Sequence, residues 1–203
     1  MSAISTDGFK AQAQRFSSAP PPSQRVRTVF FMARIIRMSD EGLFLIRTLS
    51  DHGMKLLAHV RLNVGERLMI ALSDRLTVSG SVIWCESFFC GVAFDEPIDS
   101  AAFLGSLPAR NQSYRRSALR LPVMKRATLY SESGIHCVKI TDVSCRNVGL
   151  AHAGQLQPGM IVRLELESGA TRRGAVCWSR KGHAGVTLGE PFTIAELQSA
   201  NSL

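Results

Sequence analysis

Residues 76–97 read LTVSGSVIWCESFFCGVAFDEP, and residues 170–191 read ATRRGAVCWSRKGHAGVTLGEP. Gly80, Val82, Trp84, Gly91, Val92, Glu96 and Pro97 return as Gly174, Val176, Trp178, Gly185, Val186, Glu190 and Pro191, always 94 residues later. The same shift lays Ile46–Ser100 on Ile140–Ile194 without a gap, and adds Ser50/Ser144, Gly65/Gly159, Leu72/Leu166 and Thr77/Thr171. A period of this length is too long for a solenoid unit and corresponds to two copies of one small domain.

Each copy reads as antiparallel β. Leu76, Val78, Val82 and Trp84 alternate on one face, with Gly80 where the strand can bend, so the pattern puts Trp84 and Trp178 in the core. NVGERLMIALSDR and QPGMIVRLELESGA each read as turn, strand and turn, and Arg180-Lys181-Gly182 supplies a hairpin turn. Several short strands at roughly 8–12-residue spacing imply a small barrel or sandwich. DSAAFLGSL and TIAELQSA read as short helices after each copy, with Asp99 and Thr193 as N-caps. The expected organisation is a flexible tail over 1–19, a first domain over 20–107, a connector over 108–114 and a second domain over 115–203. Pro20-Pro21-Pro22 forms a stiff hinge at the end of the tail.

With 45% hydrophobic and 20% charged residues, the composition is that of an ordinary globular protein. No apolar run approaches the roughly 20 residues that cross a bilayer, and the N-terminal segment lacks the apolar stretch of a secretory signal. Five cysteines with no C-x-x-C spacing argue against a disulfide framework and for a reducing, cytoplasmic compartment. His52, His59, His136, His152 and His183 are scattered singly, so no metal is expected.

The net charge of +8 is unevenly placed. Pro20–Gly105 holds nine basic and nine acidic residues, whereas the chain from Arg115 onward holds twelve basic and six acidic. An anionic partner is therefore expected at the second copy. Its start, YRRSALRLP (114–122), sets Arg115, Arg116 and Arg120 close together with no acid among them. Arg172, Arg173, Arg180 and Lys181 either widen that field or guard a sheet edge.

Some twenty residues after the arginines comes TDVSCRNVGL (141–150). Together the two segments resemble the PilZ family, whose members carry R-x-x-x-R followed by [D/N]-x-S-x-x-G at the edge of a six-stranded antiparallel barrel, and many of which bind cyclic di-GMP. The resemblance implies an all-β chain of two such barrels in tandem, each followed by a short helix. It places Arg116 and Arg120 in R-x-x-x-R, Arg115 as the extra arginine that often precedes it, and Asp142 and Ser144 in D-x-S. Asn147 stands where the motif has glycine. A frame using Gly149 instead needs two extra residues and breaks the ungapped alignment, so Asn147 is preferred, in a left-handed turn that Asn tolerates.

The chemistry is consistent with this ligand. A guanidinium fork pairs with phosphate or with the O6/N7 edge of guanine, and a carboxylate suits the guanine donor edge. Asp142 and Ser144 could equally serve as turn residues. The first copy has Thr48 for the acid, Pro20-Pro21-Pro22 in the place of R-x-x-x-R and no net charge, so it is expected not to bind nucleotide and to contact a partner or support its neighbour. No nucleophile elbow, H-E-x-x-H or phosphate-cradling glycine loop is present, and an enzyme is not expected.

The reading is thus a receptor for cyclic di-GMP that controls an unidentified downstream protein by re-orienting its domains, with no other cofactor, no nucleic acid and no membrane insertion. A ligand-free protein-interaction module is the alternative. Non-specific nucleic-acid binding through the basic half is a third, and the scarcity of aromatics on polar strands counts against it.

Overall fold

The computed structural model describes residues 26–107, 119–154 and 156–203. The expected tail and connector lie outside the described residues, as do Arg115 and Arg116. The strands β1 (Arg27–Ile36), β2 (Glu41–Ser50), β3 (Gly53–Leu57), β4 (Arg67–Ala71), β5 (Thr77–Glu86) and β6 (Phe89–Phe94) close in the order β1-β2-β3-β6-β5-β4. The strands β7 (Leu121–Ser131), β8 (Gly134–Val143), β9 (Asn147–Ala151), β10 (Ile161–Leu166), β11 (Thr171–Arg180) and β12 (His183–Leu188) close in the same order. Every pairing is antiparallel, and closure removes the free edges that an open sheet would expose. Two six-stranded barrels in tandem are what the resemblance implies, and two copies of one domain are what the repeat implies.

The copies match in their irregularities as well as in their strands. Bulges between Thr28 and Phe31, Ile46 and Thr48, and Val82 and Trp84 return between Pro122 and Lys125, Ile140 and Asp142, and Val176 and Trp178. Ser87 and Lys181, the non-glycine residues with positive φ among those described, are also 94 positions apart. The repeat therefore extends back through the first strand of each barrel. Each interior is filled by the inward residues of its six strands: Phe44, Ile46, Leu56, Ile70 and Val92 in one, Leu129, Ile140, Leu150, Leu164 and Val186 in the other.

A short helix follows each barrel. In α1 (Ser100–Ser106) the Asp99 side chain accepts from the Ala102 N–H, and Phe103 is buried against Phe31. In α2 (Ile194–Leu197) Thr193 and Glu196 form a reciprocal capping box. Arg172 pairs with Glu196 and lies over the Phe192 ring, so it braces this helix and neither widens an anion field nor guards an edge. Burial pushes the Glu196 carboxyl upward. The Thr193 bonds and the Arg172 guanidinium outweigh it and hold the group below the ordinary glutamate range.

Two sequence-based expectations fail here. Trp178 is 47% exposed and Trp84 is only half-buried, so neither fills a core. An extra residue in the strand, Ile83 or Cys177, breaks the alternation that pointed them inward, and the ring emerges on the outer face. Cys85 and Cys90 are joined as a disulfide across β5 and β6, with Cα atoms 4.2 Å apart. The tight hairpin between them makes five-residue neighbours direct cross-strand partners, which a search for C-x-x-C does not detect. The cysteine pattern thus gives no support to a reducing compartment. Among the described residues no helix is long and apolar enough to cross a membrane.

The barrels meet through α2. Gln198 is 1% exposed; its Nε2 donates to the Leu57 carbonyl at 2.7 Å, and its Oε1 accepts from the backbone N–H groups of His59 and Val60. A Cβ on Gly42 would stand 2.2 Å from the Gln198 carbonyl oxygen, so only glycine lets the two backbones approach this closely. Ser199 and Asn201 extend the contact to Asp40. Leu43 of β2 belongs to the same buried cluster as Leu121 and Val123 of β7.

Truncating Gln198 to Ala removes the side-chain partner of three part-buried backbone groups, and urea unfolding should show a loss of about 1–3 kcal/mol. For Glu196, the depressed native pKa means its stabilisation is complete above the unfolded glutamate range. It is lost as pH falls through the lower native value. Acid unfolding of Glu196→Gln should be measurably less steep over that window than that of the parent protein.

Candidate outer-face site of the second barrel

In β8, Ile140 points into the barrel. The bulge at Thr141 then turns Asp142 outward, and Val143 returns to the core. In β11, Val176 is inward and the bulge at Cys177 turns Trp178 outward. Between them lie the unbulged strands β9 and β12. Asp142 pairs with Gly149, Gly149 with Gly185 and Gly185 with Trp178, so one row crosses four strands.

The two glycines allow the side chains at the ends of the row to lie flat. A Cβ on Gly185 would meet the Trp178 Nε1 at 2.1 Å, and one on Gly149 would meet the Asp142 Oδ2 at 2.2 Å. The indole therefore rests on Gly185 with its other face toward solvent, and the carboxylate rests on Gly149. Arg120, just before β7, forms an ion pair with Asp142, whose second oxygen accepts from Thr141 Oγ1 at 2.9 Å. Both members of the pair are partly exposed, so it adds little stability and remains available to exchange partners.

Ser144 and Asn147 play a different part. Ser144 is 2% exposed; its N–H donates to the Asn147 carbonyl at 2.8 Å, and its Oγ accepts from the Asn147 N–H at 3.3 Å. Asn147 opens β9 with ordinary backbone geometry, so the expected left-handed turn is not formed: the antiparallel Ser144–Asn147 pairing supplies the reversal. Its Oδ1 accepts from Thr187 Oγ1 at 2.8 Å, next to Cys177 Sγ. Gly149, the glycine of the alternative frame, is the cross-strand partner of Asp142 and lies beneath its carboxylate.

Arg120, Asp142, Ser144 and Asn147 are thus brought together, with the first two facing outward and the others shaping the turn. Gly149, Gly185 and Trp178 join the site unannounced by the sequence pattern. On the far side of Trp178 an open depression of about 400 Å3 is lined by Pro158, Cys177, Ser179 and Arg180. Cys145, in the turn, has its thiol pKa raised by burial. Among the described residues no cluster of three His, Cys, Asp or Glu side chains is placed to hold a metal ion.

At the equivalent place in the first barrel the row reads Thr48, Lys55, Gly91 and Trp84. Lys55 stands where the second barrel has Gly149. Its ammonium lies 5.8 Å from the Trp84 ring centroid and 4.3 Å from that of Phe89. The first copy has no carboxylate in this row, and a lysine side chain lies across it.

The fold and this row define a pair of closed six-stranded barrels, one of which presents a carboxylate, a guanidinium and an indole on a glycine floor. No family model matches the chain, and no curated protein matches it. Among solved structures it is similar to PlzA of Borreliella burgdorferi in complex with c-di-GMP, at 11% identity and TM-score 0.34 over 89% of this chain and 93% of that one. It is similar to MrkH of K. pneumonia in complex with c-di-GMP, at 11% identity and TM-score 0.31, covering 98% and 90%. The Bacillus subtilis inhibitor of motility MotI/DgrA matches at 11% identity and TM-score 0.33, covering 88% and 94%. These superpositions are loose, and the fold assignment rests on strand order and closure.

Substituting Gly185 by Ala in a Trp84→Phe background should lift the remaining indole off the sheet. Its fluorescence emission should move to longer wavelength while the circular dichroism of the barrel persists. Unchanged emission would mean the Trp178–Gly185 contact does not exist.

Proposed function

We propose that the chain is a receptor for cyclic di-GMP of the PilZ kind, with the second barrel as its binding domain and no catalytic activity of its own. The observation that carries the reading is the outer row Asp142–Gly149–Gly185–Trp178 with Arg120 at its acidic end. At the usual strand separation of about 4.8 Å, the row spans roughly 14 Å. That is too wide for one base, and a cyclic dinucleotide carries two. One purine stacks on the open face of Trp178, and the donor edge of the other meets Asp142. Arg120, with Arg115 and Arg116 on the same segment, supplies guanidinium forks for phosphate or for O6/N7. The basic balance of the second half favours a doubly negative ligand, and the first barrel, with Lys55 across its row, is left without one.

Because β7 starts directly after Arg120 and shares a core with Leu43, drawing the arginines onto the row pulls on the junction between barrels. In this reading the pull re-orients the first barrel and changes the surface it offers to a downstream protein. A second reading, an interaction module that takes no nucleotide, draws on the Ser144 hydroxyl and the Asn147 side chain, both of which are engaged within the sheet.

Isothermal titration separates the two. Saturable heat is expected with cyclic di-GMP and not with GTP or cyclic di-AMP. Arg120→Ala and Asp142→Ala should each weaken binding roughly ten- to a hundredfold, as loss of a bidentate base or phosphate contact does. Thr48→Ala should leave it unchanged. No heat at high-micromolar ligand, with circular dichroism showing folded protein, selects the second reading.

A further inference from the structure

The outer face of the first barrel carries an unusual ladder of side chains. Phe30 of β1, Arg47 of β2, Phe89 of β6, Lys55 of β3 and Trp84 of β5 alternate ring and cation. The Arg47 guanidinium lies 4.4 Å from the Phe30 centroid and 6.0 Å from that of Phe89, and the Lys55 ammonium continues the series to Trp84. The bulge at Arg47, the counterpart of the one at Thr141, brings the guanidinium out of the sheet.

The ladder is incomplete in one respect. Neither cation takes part in any of the ion pairs among the described residues, and Arg47 Nε is buried with no acceptor. With no carboxylate of the described residues on either cation, an occupant that brings one to the guanidinium or the ammonium gains a charge-assisted hydrogen bond there. Phe30, the ring that Arg47 approaches most closely, is itself exposed. Aromatic rings and arginine at the centre of an exposed patch, with apolar flanks, are the composition from which interface hot spots are built.

From this we infer that the ladder is the docking surface of the first barrel for a protein segment that carries acidic side chains flanked by apolar ones. The charge balance of the domain selects a protein over a polyanion. Nucleic acid and anionic membranes are held by the summed field of many cations. Pro20–Gly105 has as many acidic as basic residues, so its complementarity acts only at short range, at Arg47 and Lys55. Two cations already approach the Phe89 ring, the Arg47 guanidinium at 6.0 Å and the Lys55 ammonium at 4.3 Å from its centroid, so a stacking base would have to displace them. The inference concerns the first barrel alone and stands whether or not the second binds a nucleotide.

Selection of short random peptides displayed on phage against the full-length protein tests it. The expected consensus holds acidic residues next to aromatic or aliphatic ones. A synthetic consensus peptide should shift the amide resonances of β1, β2 and β6 and the Arg47 Nε–H. Its affinity should drop roughly tenfold or more in Arg47→Ala, as at a hot-spot residue. Phe30→Ala, at an exposed position, should weaken it as well, and Arg120→Ala should leave it unchanged. A neutral or basic consensus, no enrichment at all, or binders that survive both first-barrel substitutions would overturn the proposal. So would binding of a single-stranded oligonucleotide or phosphatidylglycerol vesicles by the parent protein that Arg47→Ala abolishes.

Discussion

One extra residue in a strand decides which way a side chain faces. In both barrels the strand that pairs first with β1 or β7 carries a bulge, as does the strand before the last hairpin, and at each the inward–outward alternation slips by one. Without the slip at Thr141, Asp142 would enter an apolar core with no partner, at the desolvation cost of a buried carboxylate. Without the slip at Cys177, Trp178 would compete with Val176 for the interior. With both slips the two side chains stand outside in one row, and Gly149 and Gly185 give them a flat surface to lie on. The platform is therefore a property of backbone register before it is a property of side chains.

Given one register, the two copies part company through few substitutions. Thr48 replaces the carboxylate, Lys55 replaces a floor glycine and Phe89 replaces His183. These changes turn a row with an acid at one end and an open indole at the other into a row filled by cations and rings. The tryptophan and the glycine beneath it are present in both copies, with the indole packed on the glycine at the outer side of each bulge. What is shared is structural, and what differs defines two faces of different chemistry on one scaffold.

That division also explains what the sequence disclosed. The repeat, the strands and the caps at Asp99 and Thr193 were legible because they rest on spacing, alternation and local hydrogen bonding, which are written in consecutive residues; closure into a barrel rather than a sandwich came from the resemblance. Arg120 and Asp142 were legible as a pair because the resemblance joined them. Gly149, Gly185 and the outward turn of Trp178 were not, since a bulge is visible only when two strands are laid side by side. The Cys85–Cys90 bond failed for the same reason: its partners meet through hairpin register, not through motif spacing. Ser144 closes its own turn, one of the two roles that its residue type left open on the sequence.

The junction constrains any mechanism built on moving the barrels. Gln198 is held by three backbone groups of the first barrel, Gly42 is shaped around it, and Leu43 completes the core of the second. Such a contact has few intermediate positions, because sliding it by a fraction of a residue breaks all three hydrogen bonds together. In the proposed mechanism, re-orienting the barrels means breaking these bonds and packing the junction anew, which favours a step between two packed arrangements over a graded swing. A ligand can drive that step only by the difference in its affinity for the two. The interaction most directly placed to create this difference is the one at Arg120, since the residue that follows it, Leu121, is already packed with Leu43 in the shared core.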